Sequence, residues 1–195
     1  MMKKIIVVVA LTLLVLSCKN ETKKKDLKEN SVITNKKNEI PKKKVLSPHT
    51  ETMAIIGDAH IHIDYSSPGV RGRIIFGGLV GYDNVWQAGA HKATYIETNK
   101  DLIIDGKTLP AGKYGFFTVP TKDDWTIMIN KNWNQHGKDE YNQDEDVIRF
   151  KVTPIISAEI KEHLEYKISK ISETEGSISL HWEKVKISFP FTINQ

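Results

Sequence analysis

His60-Ile61-His62-Ile63-Asp64-Tyr65 is the stretch on which the fold turns. Its apolar residues at 61, 63 and 65 alternate with polar ones at 60, 62 and 64. That period of two puts one side of a strand in a core and the other in water. Moving outward, short runs of strand character recur at Ala93–Thr98, Leu102–Ile104, Tyr114–Val119, Trp125–Ile129 and Asp146–Val152. They return at His163–Ser169, Ser177–Trp182 and Val185–Ile193. Asp105-Gly106 is a strong two-residue hairpin signal, with Lys107–Leu109 as the returning strand. Pro110-Ala111-Gly112 and Pro120–Asp124 mark further turns. Ile160, Leu164 and Ile168 fall four apart, which also suits a helix over 158–171, but the alternation across Leu164–Ile168 favours a strand. Pro190 has no N–H and predicts an edge strand or a bulge. About nine or ten short strands with frequent turn signals predict an all-β domain over residues 45–195, an antiparallel β-sandwich of jelly-roll-like or barrel-like form.

The chain ahead of this domain has a different character. Lys3 and Lys4 precede a twelve-residue apolar stretch, Ile5–Leu16, broken only by Thr12. A membrane-spanning helix needs about 20, so residues 1–17 predict a signal peptide rather than a span. The run closes on Val15-Leu16-Ser17-Cys18, which resembles a bacterial lipobox, with Cys18 as the lipidated first residue of the mature chain. Residues 19–44 hold ten Lys, four acidic residues and no aromatic. Such a segment cannot bury enough surface to offset its ordering entropy, which predicts a disordered tether over 18–44. A flexible chain of that length reaches roughly 25–30 Å.

Charge is divided accordingly. The whole chain of 195 residues carries 28 Lys+Arg against 24 Asp+Glu, a net +4. The leader contributes +2 and the tether +6, which leaves −4 on residues 45–195. A nucleic-acid partner needs a basic face and is excluded on this ground. One cysteine excludes an internal disulfide framework and any multi-cysteine metal site.

Two long segments are not strand-like. Residues 66–91 contain six Gly, Pro68, Arg71, Arg73 and Trp86, and residues 130–145 contain Trp133, His136 and Tyr141. Long loops on a rigid β scaffold are where binding groups usually sit. Arg71 and Arg73 suit carboxylate, phosphate or sulfated-sugar ligands, or else clamp loop carbonyls. Trp86 and Trp133 lie in loops and are the better stacking platforms, whereas Trp125 and Trp182 sit in strands and read as core. Tyr65, His91, Lys92 and His136 complete the candidate binding set. His60, His62 and Asp64 share one face of a strand, about 6.5–7 Å apart in steps of two, near enough to chelate one metal ion. A further ligand would have to come from His91, His136 or His181. The competing reading of the three is a plain solvent face. No Gly-x-Ser-x-Gly, His-Glu-x-x-His, phosphate-loop or calcium-loop motif is present.

Several of these stretches resemble one family. Ile63-Asp64-Tyr65-Ser66-Ser67-Pro68-Gly69-Val70-Arg71-Gly72-Arg73, then Ile75-Phe76-Gly77 and Val85-Trp86, resemble the DUF2911 family of Bacteroidetes proteins. Leu109–Tyr114, Phe117–Pro120, Trp125-Thr126-Ile127, Asn130-Lys131 and Trp182-Glu183 follow in the same order, so the resemblance covers about 47–193. It implies a secreted or lipid-anchored β-rich protein and brings no established activity. Gln87, His91 and Lys92 stand where the family commonly has Arg, Asn and Glu, which implies an altered polar cluster.

Together these observations predict a lipoprotein anchored in the outer membrane through Cys18 and facing the periplasm. Its domain is expected to be a non-catalytic module for a small molecule, a glycan or an envelope protein. The alternative is a hydrolase-type or metal-dependent enzyme using His60 and His62 or loop residues. No cofactor is expected unless His60 and His62 bind metal.

Overall fold

The computed structural model describes residues 45–193; the leader, Cys18 and all of the Lys-rich tether lie outside the described residues. Ten strands follow one another: β1 (His49–Ile56), β2 (Ala59–Ser66), β3 (Thr94–Thr98), β4 (Leu102–Ile104), β5 (Lys107–Leu109), β6 (Gly112–Val119), β7 (Trp125–Asn130), β8 (Asp146–Val152), β9 (Ile155–Lys170) and β10 (Glu175–Ile193). A single 3₁₀ turn, Gln143–Glu145, is the one helical element among the described residues. The first sheet runs β1-β2-β3-β6-β7-β8 and the second β5-β4-β10-β9, with antiparallel pairing throughout. The fold is therefore all-β and sandwich-like, as the period-two pattern predicts.

The inner faces of the two sheets meet in one core. From the first sheet come Ile61, Ile63, Ile96, Phe116 and Ile127; from the second come Leu164, Tyr166, Ile178, Leu180 and Phe191. Phe76, from the long loop after β2, sits among three indoles, with ring centroids 4.8 Å from Trp125, 5.9 Å from Trp86 and 6.0 Å from Trp182. The Asp105-Gly106 hairpin forms as expected: both residues have positive φ (50° and 72°), which a two-residue turn of this hand requires.

Three local outcomes differ from, or sharpen, the sequence reading. β1 alternates exposed and half-buried residues up to Ile56, but its apolar residues do not follow that alternation, with Met53 and Ile55 on the exposed side, and pattern alone does not reveal it. β10 is continuous where two runs are expected, with register shifts around Glu183, whose φ is +54°. It is also an inner strand, so Pro190 is not at an edge. Pro190 falls between the stretch paired with β9, ending at Lys186, and the stretch paired with β4, starting at Thr192. A missing N–H interrupts neither ladder there.

The outer face of the first sheet is partly covered. Ala93, Phe117 and Met128 form a second small core there, with Val85, Val119 and Tyr141 packed against it. The loop over 130–145 is thus a built layer. Fully buried Asn130 donates to Asn142 O and Asp146 Oδ1 (both 2.8 Å), and Gln135 bonds Asn132 O and Glu140 N. Tyr141 stacks at a tilt on Phe117 and donates to Asp146 Oδ2 (2.9 Å). Burial first, then that carboxylate, hold its phenol well above the ordinary range.

Candidate functional site

β2 ends at Ser66, and the chain that follows is tied to the second sheet. Ser67 Oγ donates to Leu164 O (2.6 Å), Val70 N to Glu162 O (2.7 Å), and Leu164 N to Pro68 O (3.0 Å). Arg71 and Gly72 then adopt positive φ (51° and 68°) and turn the chain back. Arg73 closes the turn, with its guanidinium donating to Gly69 O (2.6 Å) and Val70 O (3.1 Å). Further on, Trp86 exchanges backbone bonds with Thr118 of β6 (2.8 and 2.9 Å), and its indole donates to Gly89 O (3.1 Å). Ala88 O accepts from Tyr166 OH and Thr94 Oγ1. Arg71, Asp83, Ala88 and His91, four of the six non-glycine residues with positive φ, lie in this one loop. Such backbone costs of order 1–3 kcal/mol each and concentrates at functional sites.

The loop encloses a pocket of about 500 Å³. Arg71, Arg73, Lys138 and His91 are among its walls, Trp86 and Trp182 lie within it, and none of its lining residues is acidic. Among the described residues, no carboxylate lies within 4 Å of the Arg71 or Arg73 guanidinium or the Lys138 ammonium, while the Glu162 carboxylate accepts from the backbone N–H of Arg71 (2.9 Å). Trp86 and Trp182 are stacked (5.7 Å, 25°) and almost fully buried, so Trp86 is a core residue as well as a pocket wall. Trp182 Nε1 is buried without a hydrogen-bond acceptor. A buried orphan donor is rare and costly, typically about 1–3 kcal/mol. Arg73 serves the loop carbonyls as a clamp, which leaves Arg71 and Lys138 as the free cations.

The remaining candidates lie elsewhere. Tyr65 is 6% exposed; its hydroxyl accepts from Tyr166 N (3.2 Å), and burial raises its pKa. Lys92 and Trp133 border a separate hollow of about 330 Å³ on the outer face, with His49, Asp64 and Tyr95. His136 is exposed, 3.7 Å from Asp139 and bridged through its backbone to Lys92. On the outer face of the first sheet, His62 Nε2 lies 2.9 Å from Glu51 Oε2, and His49 Nε2 lies 2.7 Å from Asp64 Oδ2. One atom each of Glu51, His62 and Asp64 lies within 4.8 Å of the others. His60 is outside this group: it is exposed, and its backbone N–H is held by Asn99 Oδ1 (2.7 Å). Lys113 completes the neighbourhood, 3.0 Å from Glu97 and 4.4 and 4.6 Å from the Tyr95 and Trp133 rings. The Glu97 contact is the main reason its ammonium pKa is raised.

Sequence reasoning misses Lys138 and Ser47 in the pocket, assigns Trp182 to the core alone, and misses His49 and Glu51 on the outer face. Lys138 is one lysine in a polar loop, and its proximity to Arg71 comes only from folding. His49 and Glu51 belong to the strand that pattern does not reveal.

Both sheets are scaffold, and the exposed polar chemistry is carried by long loops and one outer face. Residues 47–191 match the model of DUF2911, described as a protein of unknown function, and the chain belongs to that family. No curated protein and no solved structure matches it significantly.

Proposed function

We propose that this protein is a lipid-anchored module of the cell envelope that binds a small anionic ligand in the 500 Å³ loop pocket without transforming it. The observation that carries this reading is the presence of the Arg71 guanidinium and the Lys138 ammonium, neither within 4 Å of a carboxylate, in one pocket that has no acidic wall. A carboxylate, phosphate or sulfate is the ligand that suits these two cations. The near-complete burial of Trp86 leaves no broad aromatic face for an extended glycan, which favours a small molecule. Lipidation at Cys18, the outer membrane and a periplasmic orientation belong to the same proposal and rest on the leader and tether sequences alone.

Titration calorimetry of the full chain tests the pocket, with sodium glucuronate and inorganic phosphate as probes and glucose as the neutral control. At least one anion is expected to bind, glucose is not, and Arg71→Ala is expected to weaken binding about tenfold or more, the worth of a hydrogen bond to a charged group. Silence with both anions, or an unchanged affinity in Arg71→Ala, overturns the proposal.

A further inference from the structure

A second polar assembly stands apart from the pocket, on the outer face of β1 and β2. Glu51 is directly opposite Asp64 in the antiparallel register, and His62 is one diagonal step away, opposite Met53. Directly opposed side chains on such a face have Cβ atoms about 4.5–5.5 Å apart, so the ladder itself holds these donors close. We propose that Glu51, His62 and Asp64, with His49 as fourth donor, form a site for one divalent first-row transition ion of the Zn²⁺ type.

Three of the four donor atoms are already gathered. One atom each of Glu51, His62 and Asp64 lies within 4.8 Å of the other two, and His49 Nε2 is 2.7 Å from the Asp64 carboxylate. A tetrahedral ion with bonds of about 2.0–2.2 Å needs donors roughly 3.3–3.6 Å apart. The side chains of Glu51 and His49 are 56% and 68% exposed, so the site as proposed asks only these two to change rotamer. Two imidazoles and two carboxylates suit zinc and its neighbours, whereas calcium and magnesium prefer all-oxygen sets.

The surroundings favour order and a cation. His62 sits edge-on to Tyr95 (5.9 Å, 77°), and its side chain is 24% exposed, that of Asp64 20%. The nearby ammonium of Lys113 is engaged by Glu97, so it does not neutralise the pair of carboxylates. Asp64 and His49 also border the 330 Å³ hollow with Tyr95 and Trp133, which leaves room for an exogenous ligand at the ion. His60, which shares the strand face in sequence, takes no part.

Zinc titration of the full chain by calorimetry tests this, in a Cys18→Ser background that removes the one competing thiol. One equivalent of Zn²⁺ is expected to bind. Glu51→Gln and His62→Ala are each expected to weaken it about tenfold or more, with His60→Ala and His136→Ala unchanged. X-ray absorption of the loaded chain is expected to show a nitrogen and oxygen shell with imidazole scattering. Glu51→Gln is a near-isosteric change on an exposed side chain, so it decides the matter if His62→Ala fails to fold. Absence of a stoichiometric site, retention of full affinity in Glu51→Gln, or loss of affinity in His60→Ala overturns the proposal.

Discussion

His181 shows how one side chain makes stability depend on pH. Its Nε2 is buried without a partner, and burial first, then Lys161 and Lys186, hold its pKa below the ordinary 6.5. The unfolded chain therefore binds this proton more readily than the folded one. Its contribution to stability is complete above 6.5 and declines as pH falls from 6.5 through the lower folded value. Substituting His181→Gln is expected to flatten the acid limb of a urea-midpoint profile between pH 7 and about pH 5. An acid limb identical to that of the parent chain would sink this assignment. Phe76 makes the complementary point about packing. It comes from a loop, yet its ring lies within 6.0 Å of three indoles, so this loop is part of the core and cannot drift independently of it.

At the scale of elements, β10 carries its own instruction for a bulge. Its buried residues are Ile178, Leu180 and Trp182 before Glu183, then Val185, Ile187, Phe189, Phe191 and Ile193 after it. The inward set changes from even to odd positions, which takes one extra residue. Deleting Lys184 places Val185 two residues after Trp182, so an unbroken alternation keeps all eight on the core face. That variant is expected to keep a cooperative thermal transition by near-ultraviolet circular dichroism; loss of the transition would show that the irregularity itself, rather than the apolar phase, is what the strand requires. This slip is legible in the sequence, as the gap between the runs ending at Trp182 and starting at Val185. So are β2 and the hairpin at Asp105-Gly106. β1 is not legible, because it is an edge strand with Met53 and Ile55 exposed and no repeating buried face. Glu51 is lost with it, and so the strand-face group His60, His62 and Asp64 is expected in place of a cluster built across two strands.

Taken whole, the molecule assembles its pocket from pieces far apart in the chain. Ser47 precedes β1, Arg71–His91 follow β2, Lys138 lies in the layer over the outer face, and Trp182 sits beside the bulge of β10. Arg71, Arg73, Trp86 and His91 stand out in the sequence because they share one glycine-rich loop. Lys138 and Ser47 do not, because only the pairing of both sheets brings them there. Charge has a whole-molecule logic too, with −4 on residues 45–195 and +6 on the Lys-rich segment before them. Under the proposed anchoring, Cys18→Ser is expected to move the protein from the membrane pellet to the soluble fraction, once the leader is removed. Tight retention in the pellet after salt washing would refute the lipid anchor. The stacked indoles of Trp86 and Trp182 have one more consequence. Two transition dipoles held this close couple as an exciton pair, so the chain carries a chiral optical signal seated in the wall of its own pocket. Under the proposed binding, occupancy of the pocket is expected to shift that signal, which ultraviolet circular dichroism reads without a dye or label.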